Sequence, residues 1–192
     1  RKVDATTGII TTVAGGGTAG LGDGRPATSA QLYDPSGVAL DVGGNLYIAD
    51  TSSHRVHKVD ATSGVIRTVA GAGSDMVGRG RFGGDGGPAT GARLSLPSGL
   101  ALDAGGNLYV ADRNNFRVRK IEAATGIITT VAGGGASALG DGGPATSAQL
   151  ENPWGVAVDG AGNLFIADAG IFVPRANDRV RKVTPGGTIS TV

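Results

Sequence analysis

The amino-acid sequence predicts an all-β fold, a β-propeller of four-stranded antiparallel blades. A long block recurs three times along the chain, and each copy contains the same series of short apolar segments separated by turns. Glycine accounts for 36 of the 192 residues, close to a fifth, whereas about 7% is usual. This composition excludes an ordinary helical domain, and the repeats indicate that one structural unit is used several times.

Two recurring blocks define the length of the unit. The copies of the long block are LYDPSGVALDVGGNLYIAD (32–50), LSLPSGLALDAGGNLYVAD (94–112) and LENPWGVAVDGAGNLFIAD (150–168). A second block, VDATTGIITTVAG at 3–15, returns from Val59 and from Ile121 and survives in shortened form at the end of the sequence. Equivalent positions lie 56 or 62 residues apart, which predicts a basic unit of 56 residues with insertions of six residues.

Each unit contains four strand patterns in a fixed order. GVALD is followed by the turn VGGN and then by NLYIAD, which predicts a hairpin, and RVHKV and VIRTVAG follow as strands three and four. The first two strands are almost continuously apolar, so we expect them to be covered on both faces. The outer two alternate with polar residues and are expected to lie toward solvent. Such a gradient is typical of propeller blades, whereas β-solenoid coils have shorter periods of about 20–30 residues.

The chain is expected to hold three complete blades and the end of a preceding one. The end of the preceding blade is residues 1–15, the complete blades are residues 37–71, 99–133 and 155–192, and the inter-blade connections are residues 16–36, 72–98 and 134–154. Because a closed propeller needs about 4–8 blades, three blades leave unpaired sheet faces. We interpret the sequence as a section of a longer array, or as a chain that self-associates through its open blade faces.

Charge and composition exclude several classes of partner and site. The formal net charge is +1, so the basic bias of a phosphate-backbone binder is missing and no nucleic-acid partner is expected. Cysteine is absent, which excludes disulfides, thiolate metal sites and cysteine nucleophiles. The longest charge-free stretch, residues 5–22, is rich in glycine and threonine and is not apolar enough to span a bilayer, so no membrane partner is expected.

The two histidines do not form a predicted metal site. His54 and His57 lie three positions apart on the presumed third strand, which sends their side chains to opposite faces. The other units place Phe116 and Arg119 at these positions, so we expect both histidines to be solvent-facing polar residues.

The glycine-rich segments also predict no cofactor or metal. GGDGGPA at 83–89 is similar to the calcium-binding nonapeptide array, but one copy per blade cannot stack the turns that hold the ion. Calcium binding by these loops is the alternative. The Gly-Gly-Gly runs lack the Lys-Ser/Thr of a phosphate-binding loop and are interpreted as flexible connections.

An acid and a base recur around the turn between strands two and three. The acids end the second strand and the bases begin the third: Asp50, Asp112 and Asp168, with Arg55, Arg117 and Arg179. We predict a structural role, in which each carboxylate caps turn amides and pairs with the arginine across the hairpin. The alternative is acid–base chemistry with arginine clamps.

The repeat also carries a family resemblance. GDGGPATSAQLENPWGVAVDGAGNLFIAD, followed by an Arg-Val-Arg-Lys-Val strand, resembles the NHL repeat of bacterial secreted and surface proteins and is similar to the propeller of teneurins and related YD-repeat proteins. The resemblance implies a six-bladed ring, an extracellular or cell-surface location and, in most members, protein binding, with RNA-binding and lyase members as exceptions. Arg25 departs from the pattern, because it replaces the second glycine of DGGPAT.

Two insertions distinguish individual blades from the repeat. The connection 72–87 and the turn 169–178 are each six residues longer than their counterparts. Because they follow strands four and two of a meander, they should project from the same end of the blades. The candidate partner-binding residues that they carry are Met76, Arg79, Arg81, Phe82, Ile171, Phe172 and Arg175. Apolar and arginine residues on extended loops favour an interface, and neutral loop drift is the alternative.

Taken together, the residues and the resemblance predict a non-enzymatic protein-binding or structural scaffold module of a secreted or surface protein. We expect no catalytic residue, metal or cofactor in this segment. The alternatives are a lyase-type NHL enzyme whose catalytic residues lie outside this segment, and an RNA-binding NHL propeller.

Overall fold

A computed structural model describes residues 1–73, 82–136, 139–170 and 178–192. Short strands dominate it, and the only helical elements in these ranges are single 3₁₀ turns. The strands are β1 (Lys2–Val3), β2 (Ile10–Thr11), β3 (Pro35–Leu40), β4 (Leu46–Asp50), β5 (Arg55–Val59), β6 (Ile66–Ala70), β7 (Pro97–Leu102), β8 (Leu108–Asp112), β9 (Arg117–Ile121), β10 (Ile128–Gly133), β11 (Pro153–Val158), β12 (Leu164–Asp168), β13 (Arg179–Val183) and β14 (Ile189–Thr191).

These strands form three antiparallel meanders of four strands each, which confirms the predicted all-β blade architecture. The sheets run β3-β4-β5-β6, β7-β8-β9-β10 and β11-β12-β13-β14, and β1 pairs with β2 in a separate two-stranded sheet. We call the three meanders blades 1, 2 and 3. The end of the blades that carries the turns between second and third strands, together with the inter-blade connections, is the upper end. The opposite end is the lower end.

The turns at the lower end fix the register of the first hairpin in each blade. In blade 2, Asp103 accepts hydrogen bonds from the backbone and side-chain nitrogens of Asn107, at 2.9 and 2.8 Å. The Asn107 carbonyl oxygen in turn accepts from the Asp103 amide at 3.1 Å. Gly106 has a φ of 78°, which an L-residue adopts only with strain. The same Asp and Asn positions bond to each other in blades 1 and 3, so the predicted tight hairpins are present in all three blades.

A short stretch of each connection pairs with the outer strand of the blade that follows it. We call residues 23–27, 85–89 and 141–145 the bridging segments. In the first of them, the Gly24 amide donates to the Ile66 carbonyl and the Ala27 amide to the Gly64 carbonyl, both at 2.9 Å. The Ala27 carbonyl also accepts from the Gly15 amide, which follows the outer strand β2. Each bridging segment therefore covers the free edge of an outer strand and ties one sheet to the next.

The hydrophobic core lies between blades rather than within them. Between blades 1 and 2, alanine and valine side chains of the first sheet, such as Ala49 and Val56, pack against larger side chains of the second, such as Leu100 and Val110. A second cluster joins blades 2 and 3 in the same manner, through Val118 and Ile166. Alanines and leucines of the connections, Leu94 among them, close each cluster from the side.

Burial along the blade differs from the expected gradient. The first strand of blade 1 is largely exposed, with Val38 at 66% and Leu40 at 65%, whereas the equivalent Leu100 of blade 2 is 8% exposed because blade 1 covers it. The third strands β5 and β9 were expected to lie toward solvent, but most of their residues are buried or half-buried. The reason is that the bridging segment covers one face of the third strand and the next blade covers the other.

Candidate functional site

The aspartates that end the second strands are buried and accept hydrogen bonds from the loop that precedes their blade. Asp50 accepts from the Tyr33 amide at 2.5 Å, and Asp112 from the Ser95 amide at 2.7 Å. Asp168 accepts from two successive amides, those of Glu151 and Asn152, both at 2.9 Å. The carboxylates therefore bind backbone amides, but across the blade rather than in their own turn.

The arginine partners expected for these aspartates need correction. Arg117, predicted to pair with Asp112, donates to the carbonyl oxygens of Asn115 and Gly134 at 2.9 and 3.5 Å. Arg55 likewise donates to the carbonyls of Ser53 and Ala72 at 3.0 and 3.1 Å. Arg117 and the residue two positions later lie on the same face of the third strand. The later residue reaches the carboxylate, whereas Arg117 bonds to carbonyl oxygens of the turn and of the following connection.

In blade 2 that later residue is Arg119, whose side chain is completely buried. Its guanidinium donates to Asp112 at 3.2 Å and forms a second, shorter ion pair with Asp85 of the bridging segment. Asp85 also accepts from the hydroxyl of Thr130 at 2.6 Å. Blade 3 repeats part of this arrangement, with Arg181 donating to Asp141 at 2.7 Å. A buried cation thus ties each of these bridging segments to its blade.

Burial raises the pKa of two of the aspartates that end the second strands, Asp112 and Asp168. It raises the pKa of Asp112 to about 6, even though Asn115, Ser95 and Arg119 all favour the ionised form. Burial also raises the pKa of Asp168. The carboxylates at the lower end behave in the opposite way. Burial favours the neutral form of Asp103, but hydrogen bonds from Asn107 outweigh it, so the pKa of Asp103 lies below its usual value.

Both histidines are buried, which corrects the expectation that they face solvent. His57 stands where blade 2 has Arg119, and its side chain is fully buried between Asp50, 3.3 Å from Nε2, and Thr68, 3.2 Å from Nδ1. His54 is 6% exposed, and its Nδ1 accepts a hydrogen bond from the Leu96 amide at 3.0 Å. His54 also lies in the turn before β5, with a left-handed backbone (φ 57°), and not on the third strand as predicted. For His57 the alternation of the strand did not reveal the connection that covers its side chain.

Only one of the candidate partner-binding residues lies in a described range. Phe82 is 42% exposed at the upper end, and the guanidinium carbon of Arg117 lies 3.7 Å from the centre of its ring. The other six candidates, Met76, Arg79, Arg81, Ile171, Phe172 and Arg175, lie outside the described residues.

Exposed aromatic side chains of the described residues all lie at the upper end. They are Tyr33, Phe82, Phe116 and Trp154, each between 42% and 46% exposed. The other aromatic side chains in the described ranges, Tyr47, Tyr109 and Phe165, lie on second strands under a lysine ammonium of the third strand. Large exposed aromatic residues gathered at one end of a rigid scaffold are typical of an interface.

Arg113 and Trp154 form a stacked pair across the boundary between blades 2 and 3. The guanidinium carbon of Arg113 lies 4.2 Å from the centre of the Trp154 ring. The Trp154 carbonyl accepts from the Ser98 hydroxyl at 2.8 Å, and the Arg113 carbonyl accepts from the Phe116 amide at 3.1 Å. Both backbones are therefore held in place, and the pair is a fixed feature of this end.

This pair was not predicted from the sequence, although the repeats contain a signal for it. Trp154 stands where the other blades have Ser36 and Ser98, and Arg113 stands where blade 1 has Thr51. A comparison of the copies that looked for substituted positions, as well as for insertions, would have identified both residues.

Two kinds of site are missing from the described ranges. No three His, Cys, Asp or Glu side chains there are grouped so that they could hold a metal ion. No helix in the same ranges has the length and apolar character needed to cross a membrane.

Family models match two parts of the chain. The teneurin NHL domain matches residues 1–81, and the NHL repeat matches residues 94–121. Together these matches cover blade 1 and most of blade 2.

Curated relatives share this similarity over small parts of their length. The chain is 31% identical over 166 residues to Protein SUPPRESSOR OF QUENCHING 1, chloroplastic, of Arabidopsis thaliana, a match that covers 84% of this chain and 15% of that protein. It is 40% identical over 104 residues to human Teneurin-4, covering 50% of this chain and 4% of that protein. The chain thus spans less than a fifth of either relative.

Solved structures share the fold. A gluconolactonase from Xanthomonas campestris superposes with a TM-score of 0.59 at 15% identity, over 84% of this chain and 48% of that one. A chain of a nidogen/laminin complex superposes with a TM-score of 0.56 at 20% identity, over 82% of this chain and 47% of that one. At these identities the likeness establishes the β-propeller fold alone.

Proposed function

Because this chain belongs to the NHL-repeat family of β-propellers, we propose that it is a non-enzymatic module that binds a protein partner at its upper end. The observation that carries the proposal is the placement of Tyr33, Phe82, Phe116 and Trp154, the exposed aromatic side chains of the described residues, at that one end. The scaffold beneath them is held by the bridging segments and the buried ion pairs, so it presents these side chains at little cost in conformational entropy.

Two further observations support binding over catalysis or RNA recognition. Both histidines are buried and hydrogen-bonded within the scaffold, so neither is placed to act as an exposed acid or base. An RNA-binding stripe along the third strands would lack Arg119 and Arg181, which are completely buried, and would keep only half-buried cations in blades 2 and 3. The family resemblance adds a location outside the cell or on its surface to the proposal.

Selection from a phage-displayed peptide library on the immobilised full chain tests this function. We expect enriched peptides that bind the unchanged chain and lose most of their binding to a variant with Phe116→Ser and Trp154→Ser. The matched control is Val42→Ser, which replaces a fully exposed apolar residue at the lower end. Circular dichroism verifies that all variants keep their β-content. Enriched peptides that bind all three proteins equally, or no enrichment at all, would contradict the proposal.

A further inference from the structure

The stacked pair at the boundary of blades 2 and 3 has unused hydrogen-bonding capacity. Among the described residues, the Arg113 guanidinium has no hydrogen-bond acceptor, and it stacks on the Trp154 ring. Stacking fixes the plane of the guanidinium while leaving its N–H edge available. Arg113 is half-buried and Trp154 is 46% exposed, so the pair can be reached from solvent.

The electrostatic character of the two ends differs. The lower end carries the carboxylates of Asp41, Asp103 and Asp159, each within a turn. At the upper end the second-strand aspartates are buried, whereas Arg93, Arg113 and Arg117 are exposed or half-buried. The upper end therefore presents guanidinium groups to a partner, and the second-strand carboxylates are withdrawn from its surface. The accessible carboxylates at this end are those of the exposed Asp34 and the half-buried Glu151, among others.

A groove lies at the upper end between residues of blade 2 and of the connection to blade 3. It has a volume of about 310 Å³ and is lined by Phe116, Arg117, Leu150 and Glu151, among others. Phe116 belongs to the same turn as Arg113, and Glu151 lies three positions before Trp154, so each wall of the groove carries a residue close in sequence to one member of the pair. A groove of this size can hold one apolar side chain of a bound segment whose carboxylate contacts Arg113.

We propose that Arg113 and Trp154 bind an acidic, extended protein segment, with a carboxylate on the Arg113 fork and a neighbouring apolar side chain in the groove. The inference rests on the proposed function, because it names the partner chemistry of the same end. Planar guanidinium groups match carboxylates through two parallel hydrogen bonds, and a preorganised Arg and Trp are the residue types that dominate binding energy at interfaces. One ring face of Trp154 already holds Arg113, which disfavours the alternative of a stacked nucleobase.

Fluorescence tests this inference directly, because Trp154 is the single tryptophan of the chain. The probes are a pool of acetylated and amidated octapeptides that contain two adjacent glutamates, and a matched pool with glutamines in their place. We expect the glutamate pool to change the Trp154 emission with an affinity about tenfold higher than the glutamine pool, the size of one charge-assisted contact. Arg113→Gln should abolish the difference, and Arg67→Gln, at an exposed position on the outer strand of blade 1, should preserve it.

The experiments distinguish failure of the acidic-segment inference from failure of the proposed function. Equal affinity for the two pools, or a preference that survives Arg113→Gln, overturns the acidic-segment inference. If the library selection still yields peptides that need Phe116 and Trp154, the proposed function stands without it. An octathymidine that binds more tightly than the glutamate pool, and loses affinity on Arg113→Gln, would assign the pair to nucleic acid instead.

Discussion

The carbonyl oxygen of Trp154 lies 2.7 Å from the position that a β-carbon on Gly99 would occupy. Gly99 stands near the start of the first strand of blade 2, and Trp154 stands at the same level on the first strand of blade 3. The innermost strands of neighbouring blades therefore approach so closely that a methyl group does not fit between them.

Replacement of this glycine should destabilise the protein. Gly99→Ala places a methyl group against rigid backbone, and we expect a loss of about 1–3 kcal/mol in the free energy of unfolding, measured by urea denaturation. Gly155→Ala is the control, because the nearest atom to its β-carbon would lie 3.6 Å away. Equal losses for the two variants would show that the close approach is not what constrains Gly99.

Removal of the buried cation of blade 2 should be more costly. Arg119→Met leaves Asp112 buried without its ion-pair partner, and we expect a loss of about 3–5 kcal/mol in denaturant unfolding. Arg119→His should lose less, because His57 occupies the same position in blade 1 and bonds to Asp50. A histidine variant as unstable as the methionine variant would argue against a shared role for the two positions.

The raised pKa of Asp112 predicts a pH dependence of stability. Its pKa of about 6 in the folded protein exceeds that of an unfolded chain, so the folded state binds a proton more tightly between about pH 4 and 6. The free energy of unfolding should therefore fall with rising pH across this window relative to that of Asp112→Asn, which does not titrate. The free energy of unfolding of the unchanged chain minus that of the variant should decrease from about pH 4 to 6 and stay constant above pH 6. If the difference in the free energy of unfolding between the two proteins grew with rising pH, folding would lower the pKa of Asp112 instead of raising it.

The turns at the lower end offer a further comparison. The side-chain oxygen of Asn107 accepts a hydrogen bond from the Ala123 amide at 3.1 Å. In blade 3 the position of Ala123 is Pro185, which has no N–H to donate to Asn163. Asn107→Ala should therefore cost about 1 kcal/mol more than Asn163→Ala in thermal or urea unfolding. Similar costs would mean that this bond contributes nothing measurable.

The exposed first strand of blade 1 predicts self-association. Val38 and Leu40 are about two-thirds exposed, and the equivalent positions of the later blades are covered by a neighbouring sheet. The isolated chain should form larger species in sedimentation velocity experiments, and Val38→Thr with Leu40→Thr should shift it toward monomer. Val42→Thr, at a fully exposed turn position, should have no effect. A chain that is already monomeric at high concentration would contradict the expectation.

The sequence was sufficient to predict the strands and turns because these depend on local patterns. Alternation, apolar runs and five-residue turns that begin with Asp and end with Gly-Asn act over a few residues, and the three copies support each interpretation. The tight turns around Asn45, Asn107 and Asn163 were identified for the same reason.

Burial of the third strand could not be predicted in this way. The burial of His57 and Arg119 depends on Asp23 and Asp85, which lie 34 residues away along the chain in each case. A polar residue on an alternating strand looks the same whether water or a distant carboxylate faces it. The stacking of Arg113 on Trp154 likewise joins two blades. In the sequence, these two positions stand out only because each carries a different residue from the equivalent positions of other blades.

The bridging segments constrain how such an array can gain a copy of its repeat. Asp85, which neutralises Arg119 of blade 2, precedes the first strand of that blade on the chain. A gene duplication that began at the first strand would therefore yield a new blade with a buried arginine but without its upstream carboxylate. Duplications that begin before the Asp-Gly segment carry both groups together. Selection for stability thus favours a genetic unit that starts within the connection, out of phase with the sheet that it encodes.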